Sequence, residues 1–555
     1  MPQLLLCLLC CVCCFSVRAQ AYLSLTEPTY GLDSARALLL IHLPEEGGRA
    51  AGVRTPDGQQ YTFIAGEEQL TAGRSLPARS GVGDTITVAF TGLPLVKVTV
   101  DSSPDKVRKR PGTLSYVRGD TTLFTPIGIR LRGAFSILFP KKTFDLECRR
   151  AVGSQEEVDV AFGDLRSDDD WVLDAVYNEP LRVNAYVAHK LWLEVHELLY
   201  RDKEPEARAG ADVEFVELFF NGDYHGLYLL SEQVDRKLLR LKKEKDGQTR
   251  GELYKGVEWT QATQLARQPA LPADTAPAYT GWERKYPESG DWTRLHALLG
   301  FTAHSTDAAF TAKVSETVDL DNVIDYFLYI NALGLRDNSG KNTYLARYRQ
   351  EAPYFYVPWD LDGSIGNQYD GSRLMYVDFW LSNRLLDRLI ELDVDQFTNR
   401  LCGRYEALRQ QELSVERLMQ RVTTAHRYLD DNGAYARESL RWEKVAYGQE
   451  ALDFTEDWLR RRMAYLDTLV CGFVTSTGAP VVEGVGLYPN PADRELIVEG
   501  AGQSPLPYRI IAVGGRVMLE GVLPPGQQRL DVSDLPGGMY VLWYGGRTGK
   551  FVVSH

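Results

Sequence analysis

The run LRDNSGKNTYL is followed, after a short gap, by YFYVPWDLDGSIG. Together they hold four side chains whose types and spacing suit the handling of a phosphoryl group. Asp337 and Asn342 stand in an Asp-x-x-x-x-Asn pattern. In phosphoryl transfer, a loop Asp accepts the proton of the attacking hydroxyl. An Asn amide oxygen holds a metal ion, and a second Asp bridges that ion to the phosphates. Asp360 and Asp362, which end the apolar strand YFYVPW, fit the second Asp. A small set of carboxylate and amide oxygens suits a hard cation such as Mg²⁺. The bland reading of the same residues is that Asp337 and Asn342 cap a turn. Asp360 and Asp362 would then be solvated strand-end residues.

Phosphates also require a cation. Lys141 and Lys142 open KKTFDLE, and an inward strand lysine can neutralise phosphates. Alternation places Lys142 on the face of Phe144 and Leu146, and Lys141 with Asp145 and Glu147. Lys142 is therefore expected to face inward, unless both lysines lie on a strand edge in solvent. A helix acid should orient that lysine. Glu179 and Glu194 are both candidates, and both could equally be solvated. LLSEQVD, with Glu232, could form an adenine-facing connector, or Glu232 could lie on the surface.

Elements must hold these groups in place. Residues 21–92 read as all-β: ALLLIHL, QQYTFIAG and DTITVAFTGL are short, β-rich and separated by turn residues. From 93 to 260 the pattern is mixed. LPLVKVTVD, TPIGIRLRGAF and FPKKTFDLECR read as strands. NEPLRVNAYVAHKLWLEVHELL reads as a helix with Pro180 in its first turn. VEFVELFFNGDYHGLYLLSEQVD reads as two strands around Asn221-Gly222, with Asp223 lengthening the loop. Residues 261–315 read as an irregular connection. Residues 316–470 read as mainly helical, interrupted by the strand of APYFYVPWDLDGSIG. GFVTSTGAP is a small, polar linker. The β pattern after it suggests a sandwich of seven or eight strands.

Composition bounds the rest. The chain has 555 residues, 25% of them charged and 44% hydrophobic, which excludes wholesale disorder. A net charge of −13 disfavours a general nucleic-acid binder. Of eight cysteines, five lie in LLLCLLCCVCCFSV, where they act as small hydrophobes. That run is expected to be a signal peptide, residues 1–20. No later apolar stretch is long enough to span a membrane. Cys148, Cys402 and Cys471 remain, enough for one bridge and one thiol.

Region 93–470 resembles the CotH family of atypical kinase-like proteins. Seven blocks carry the likeness in order: IRLRG (129–133), FPKKTFDLE (139–147), DWVLDAVYNEPLRVN (170–184), FFNGDYHGLYLLSEQVD (219–235), GELYKG (251–256), DYFLYINALGLRDNSGKNTYL (325–345) and FYVPWDLDGSIG (355–366). The resemblance implies an α+β, two-lobed kinase-like fold that uses ATP and a divalent metal, Mg²⁺ or Mn²⁺. It implies that Asp337 is the catalytic Asp, that Asn342 and Asp360 hold the metal, and that Asp362 assists or is structural. Lys142, with its neighbour Lys141, would be the ATP lysine. Arg132 and Glu232 would complete the nucleotide-facing set. Where the family shows Arg-Gly-Asn-Ser-Ser, this chain has Arg132-Gly133-Ala134-Phe135-Ser136.

The C-terminal blocks LYPNPADRELIV, IIAVGGRVML, LDVSDLPGGMYVLWY and GKFVVS resemble the type A sorting domain of the type IX secretion system of Bacteroidota. The organisation expected is therefore a signal peptide (1–20), a β-rich region (21–92), a kinase-like domain (93–471), a linker (472–485) and a sorting β-sandwich (486–555). The function expected is an exported kinase that phosphorylates a protein acceptor. Its alternatives are a non-catalytic surface or matrix protein, or a nucleotidyl or glutamyl transferase on the same scaffold. The expected partners are the acceptor and the type IX machinery, without nucleic acid or a transmembrane segment. The expected location is outside the inner membrane, secreted or attached to the cell surface.

Overall fold

The computed structural model describes residues 21–43, 47–288, 290–442, 447–473, 487–498, 506–512, 517–523, 529–544 and 547–554. The expected signal peptide and most of the linker lie outside these residues. The chain divides into two units, Met1–Arg384 with Arg404–Leu466, and Leu385–Gly403 with Asp467–His555.

In the first unit, the β-rich beginning of the chain forms one seven-stranded sheet. Its short strands alternate buried and exposed residues, and Leu39, Ile41, Val53, Phe63, Val88 and Phe90 fill its core. Leu38, Leu40 and Ala89 point to the other face and pack with Leu95, Val117, Phe219 and Tyr224 of the next layer.

That next layer is a closed barrel. Its strands are β1 (Leu95–Val100), β2 (Arg110–Arg118), β3 (Thr121–Arg132), β4 (Thr143–Cys148), β5 (Asp170–Asp174), β6 (Val213–Phe220) and β7 (Asp223–Glu232). Their order around the barrel is β1-β2-β3-β4-β5-β7-β6, closed by parallel pairing of β1 with β6. Val98, Leu114, Ile129, Phe144, Leu146, Trp171, Leu173, Val216 and Tyr228 fill its interior. Closure removes the open sheet edges that would otherwise pair with other chains. Asn221 and Gly222, both at positive φ, make a two-residue turn between β6 and β7. Asp223 pairs with Phe220 and begins the strand rather than lengthening the loop.

Helix α1 (Asn184–Val195) is shorter than its hydrophobic pattern predicts. Pro180 precedes it, and Arg182 holds a positive φ that no helix accepts. The carboxylate of Glu179 caps the helix instead, accepting from the N–H groups of Asn184 at 2.7 Å and Ala185 at 3.0 Å.

A second, five-stranded sheet contains β8 (Glu252–Gly256), β9 (Ala278–Tyr279), β10 (Trp282–Tyr286), β11 (Thr343–Arg347) and β12 (Tyr354–Pro358), in the order β9-β10-β8-β11-β12. The stretch expected to be irregular thus holds two strands, and two helices besides, Thr293–His304 and Asp307–Thr317. Their buried residues, Leu295, Leu298, Leu299 and Thr302 in the first and Phe310 and Val314 in the second, fall at helical spacing, a period masked by the Pro-, Ala- and Gly-rich residues before them. Helix α2 (Leu320–Leu333) is apolar nearly all round and enclosed except at Asp321 in its first turn. Helices α3 (Val415–Asp431), α4 (Ala434–Arg441) and α5 (Gln449–Leu469) follow.

In the second unit, Cys402 bonds to Cys471, leaving Cys148 of the barrel as the buried thiol. Two antiparallel sheets make the C-terminal sandwich. One holds Leu487–Tyr488, Glu495–Val498 and Arg529–Asp531. The other holds Leu506–Ala512, Val517–Leu523, Gly538–Tyr544 and Arg547–Val553. Leu496, Val498, Ile510, Leu542 and Phe551 share one core between the sheets. Among the described residues, no helix is long and apolar enough to cross a membrane.

Candidate functional site

The end of α2 builds the first wall of the site. Gly334 caps the helix in the left-handed conformation, where a Cβ would meet the ring of Trp458 at 2.8 Å. A short 3₁₀ turn, Arg336–Ser339, follows at once and carries Asp337. Within that turn, buried Asn338 donates to the carbonyls of Asn342 at 2.7 Å and Trp359 at 2.9 Å. Tyr326 of α2 donates to the Asn338 carbonyl at 2.7 Å. One carboxamide therefore fixes the Asp337 turn, the start of β11 and the end of β12 against each other.

The sheet supplies the second wall. Asn342 N–H donates to Gly256 O at 3.0 Å, and Trp359 N–H donates to Asn342 O at 3.1 Å. Gly256, Asn342 and Trp359 thus lie at one end of the sheet, and Asp360 follows next in the chain. Asn342 and Asp360 both hold positive φ, a conformation that Asn and Asp tolerate better than bulkier residues. The strained backbone turns them out of the ladder. Among the described residues, neither side chain makes a hydrogen bond within the protein.

Asp337 is half-buried. The exposed indole of Trp259 donates to its Oδ1 at 3.2 Å, and Lys341 Nζ lies 3.3 Å from its Oδ2. Trp259 packs so closely on Gly340 that a Cβ there would lie 2.9 Å from the ring. Nothing in the DNSGKN run pointed to Trp259.

Asp362 accepts from Asn178 Nδ2 at 2.6 Å, so the segment before α1 meets the end of β12. Burial, then the charges of Asp360 and Asp174, push the Asp362 carboxyl well above its usual range. Burial and Asp360 also raise Asp174, which is held by the Thr143 hydroxyl at 3.1 Å. Burial and Asp362 raise Glu179. Three carboxyls, Asp362, Asp174 and Glu179, are thus raised by burial and by neighbouring carboxylates, and a cation placed beside them would relieve that. The free oxygens of Asn342 and Asp360 beside this cluster fit a hard divalent ion.

The cations sit where the sequence did not place them. Strand β4 begins only at Thr143, so alternation does not extend back to the two lysines. Lys142 turns onto its own preceding turn and donates to the carbonyls of Ile137 at 2.7 Å and Phe139 at 2.5 Å. Lys141 is the enclosed one. It pairs with Glu438 at 2.7 Å, donates to Leu227 O and lies 4.6 Å from the Tyr228 ring centre. Arg182 shares Glu438 at 3.2 Å. Glu438 Oε2 accepts from Leu227 N–H at 2.8 Å and leaves no room for a Cβ at Gly226. Glu232 is likewise enclosed, accepting from Arg166 N–H at 2.8 Å, Asp212 N–H at 2.9 Å and Arg208 at 2.6 Å. Glu194 pairs with Arg421 on the surface. Arg132, at the end of β3, does reach the site, with its guanidinium 5.0 Å from the Trp359 ring centre.

The turn after Arg132 runs through Gly133, at φ 105°, where a Cβ would strike Ser136 Oγ. Phe135 meets Tyr369 edge-on at 5.0 Å and Phe139 at 5.6 Å. Asn178 Nδ2 also donates to Tyr369 O at 3.0 Å, so this aromatic contact lies beside Asp362. A polar cavity of about 320 Å³ opens at the opposite end of β8, around Glu252, Asp291 and Arg294, and none of these site residues lines it.

Residues 129–466 match the family model described as CotH kinase protein. Residues 486–553 match the secretion system C-terminal sorting domain. No curated protein matches the chain.

Proposed function

Because this chain belongs to the CotH kinase protein family, we propose that it is an exported, two-lobed kinase-like phosphotransferase that moves the γ-phosphoryl group of ATP to a protein hydroxyl. The observation that carries this reading is the placement of Asp337, Asn342 and Asp360. One buried carboxamide, Asn338, holds the three backbone segments that bear them.

In this reading the barrel and the α2 region form the two lobes, and the nucleotide lies between Arg132 and the end of β12. Asn342 and Asp360 hold Mg²⁺ or Mn²⁺, with Asp362 behind them on Asn178. The ion, when bound, neutralises charge on the phosphates. Asp337 accepts the proton of the incoming hydroxyl, since its carboxylate is half-buried yet reachable. Trp259 and Lys341 hold that carboxylate by its two oxygens and fix its direction. Lys141 is a structural residue in this account. Its charge is consumed by Glu438, away from the nucleotide.

The C-terminal sandwich acts as the address. It engages the type IX secretion machinery after residues 1–20 have taken the chain across the inner membrane. The Cys402–Cys471 bridge supports a destination outside the reducing cytosol.

Thermal melting of the purified protein tests the reading. ATP with Mg²⁺ or Mn²⁺ should raise Tm, because a ligand bound only to the folded state stabilises it. No shift at saturating nucleotide and metal would contradict it. Binding without transfer to any protein would favour a non-catalytic role or another transferase chemistry.

A further inference from the structure

We propose that the cavity at the start of β8 binds a small hydroxylated carboxylate, of the size and kind of a single uronic acid. Roughly 13 Å of strand separates Glu252, at this end, from Gly256 and the Asn342 side of the sheet. The inference therefore stands apart from the kinase reading.

The floor of the cavity carries charge that the fold leaves unbalanced. Glu252 is 1% exposed and stands opposite Arg347 in the ladder of β8 and β11. Its Oε2 lies 2.9 Å from Arg347 Nη2 and accepts from the Tyr354 hydroxyl at 2.5 Å. Its Oε1 accepts at 2.9 Å from Arg294, in the first turn of the helix Thr293–His304. Both oxygens are taken, and one carboxylate faces two guanidinium groups. A third guanidinium, Arg284 of β10, pairs across the ladder with Tyr254 and lies 4.9 Å from the Trp292 ring centre. Burial and then Glu252 push the Tyr254 phenol up, while Arg347, Arg284 and Arg294 act against them. All four charges therefore act at one wall of the cavity. Nε of Arg284 and Nε of Arg347 are enclosed without an acceptor among the described residues. Enclosed donors left unpaired are costly, and like charges drawn together repel. An anionic group held beside Arg294 would offset that excess.

The remaining lining indicates what carries the anion. The cavity has a volume of about 320 Å³, roughly the room of ten water molecules, which suits one sugar ring. Gln248, Thr249, Asp291 and Gln350 line it with Arg294. Among the described residues, the two carboxamides and the Thr249 hydroxyl make no hydrogen bond within the protein. Asp291 Oδ1 accepts from Thr293 N–H at 3.0 Å, which leaves Oδ2 to accept from a ligand. Carboxamides, a hydroxyl and a carboxylate oxygen together offer donors and acceptors for ring hydroxyls. Arg347, Arg294 and Arg284 set against Glu252 and Asp291 leave one positive charge in excess. A carboxylate matches that charge and the planar fork of a guanidinium, whereas a phosphate monoester brings nearly two negative charges.

The test titrates the full-length protein with D-glucuronate, D-glucose and glucose 6-phosphate, followed by ligand-observed NMR. Glucuronate should bind the wild type in preference to both others. Arg294→Gln should weaken glucuronate at least about tenfold, as expected for loss of a charge-assisted hydrogen bond, with MgATP affinity unchanged. Gln350→Ala and Asp291→Asn alter exposed rim residues, and Asn keeps an acceptor for Thr293. Both variants should melt with the wild type and bind glucuronate a few-fold more weakly. No glucuronate binding by the wild type at millimolar concentration, or glucose bound as well as glucuronate, would overturn the site. Glucose 6-phosphate bound more tightly than glucuronate would overturn the choice of a carboxylate. Should Arg294→Gln fail to fold, wild-type glucuronate affinity in both rim variants would overturn the site by itself.

Discussion

Glu438→Gln should be among the most destabilising single changes in the kinase-like region. The carboxylate is fully enclosed and lies 2.7 Å from Lys141 and 3.2 Å from Arg182. At an effective dielectric near 20, these distances correspond to roughly 6 and 5 kcal/mol of Coulomb attraction. Most of that is offset by the cost of taking all three charges out of water. Removing the anion leaves two buried cations facing each other. The expected net loss is about 3–5 kcal/mol, a fall in Tm of roughly 10 °C. The pH dependence carries the same signature. Burial outweighs the attraction of Glu438, and Arg182 adds to it, so Lys141 is lowered from 10.5 to about 8. Between about pH 8 and 10.5 the unfolded chain binds more protons than the folded one, so stability rises with pH through that window. In Glu438→Gln the window should open at lower pH, because the charged form of Lys141 has lost its partner. Lys141→Met is the companion variant. It leaves Glu438 balanced by Arg182 alone and strands only the Leu227 carbonyl, a loss of about 1–3 kcal/mol. Its MgATP affinity should equal that of the wild type. Denaturation monitored across pH, with calorimetry for nucleotide, reads all of this. A stable Lys141→Met that no longer binds nucleotide would refute the structural role given to Lys141.

Acid should weaken the protein. Burial lowers His189 to about 4 and His225 to about 3. Both stay neutral when folded, so stability is expected to fall as pH drops from 6.5 through about 4, and His189→Asn should flatten part of that loss in a pH series of melts. Reduction of Cys402–Cys471, which closes a separation of 69 residues, should lower stability by up to roughly 4 kcal/mol in a chain-entropy account. Cys148, pushed up to about 12 by burial, should resist alkylation until the barrel unfolds. Trp259→Phe should slow phosphoryl transfer about fivefold, because Asp337 loses a donor worth about 1 kcal/mol, while MgATP affinity stays unchanged. Deletion of residues 486–555 should leave the protein in the periplasm, detected by fractionation. Normal surface delivery of that deletion would contradict the sorting role.

The segments that carry Asp337, Asn342 and Asp360 were legible in one stretch of sequence. Asp337, Asn342 and Asp360 are close in the chain, and the helix and strands that set their spacing have clear apolar patterns. The Asn-Gly turn at 221–222 and the strands around it were equally local. The lysines were not. Lys141 meets a carboxylate 297 positions away, and no local pattern distinguishes a lysine that seals a buried network from one that faces a ligand. Alternation failed at Lys142 because the strand starts one residue later, at Thr143. Glu179 was considered as a partner for a lysine, yet its carboxylate caps α1, because the backbone of Arg182 delays the helix to Asn184.

Transfer of labelled γ-phosphate from ATP, compared between wild type and Asp337→Asn in the presence of Mg²⁺ or Mn²⁺, tests the central claim most directly. The variant keeps the shape of the side chain and an oxygen for Trp259, so folding and MgATP binding should persist. Labelling of the protein itself or of an added acceptor should be seen with wild type and be lost in the variant. Equal labelling by the two proteins would contradict the role of Asp337, and with it the reading of this site as a phosphotransferase centre.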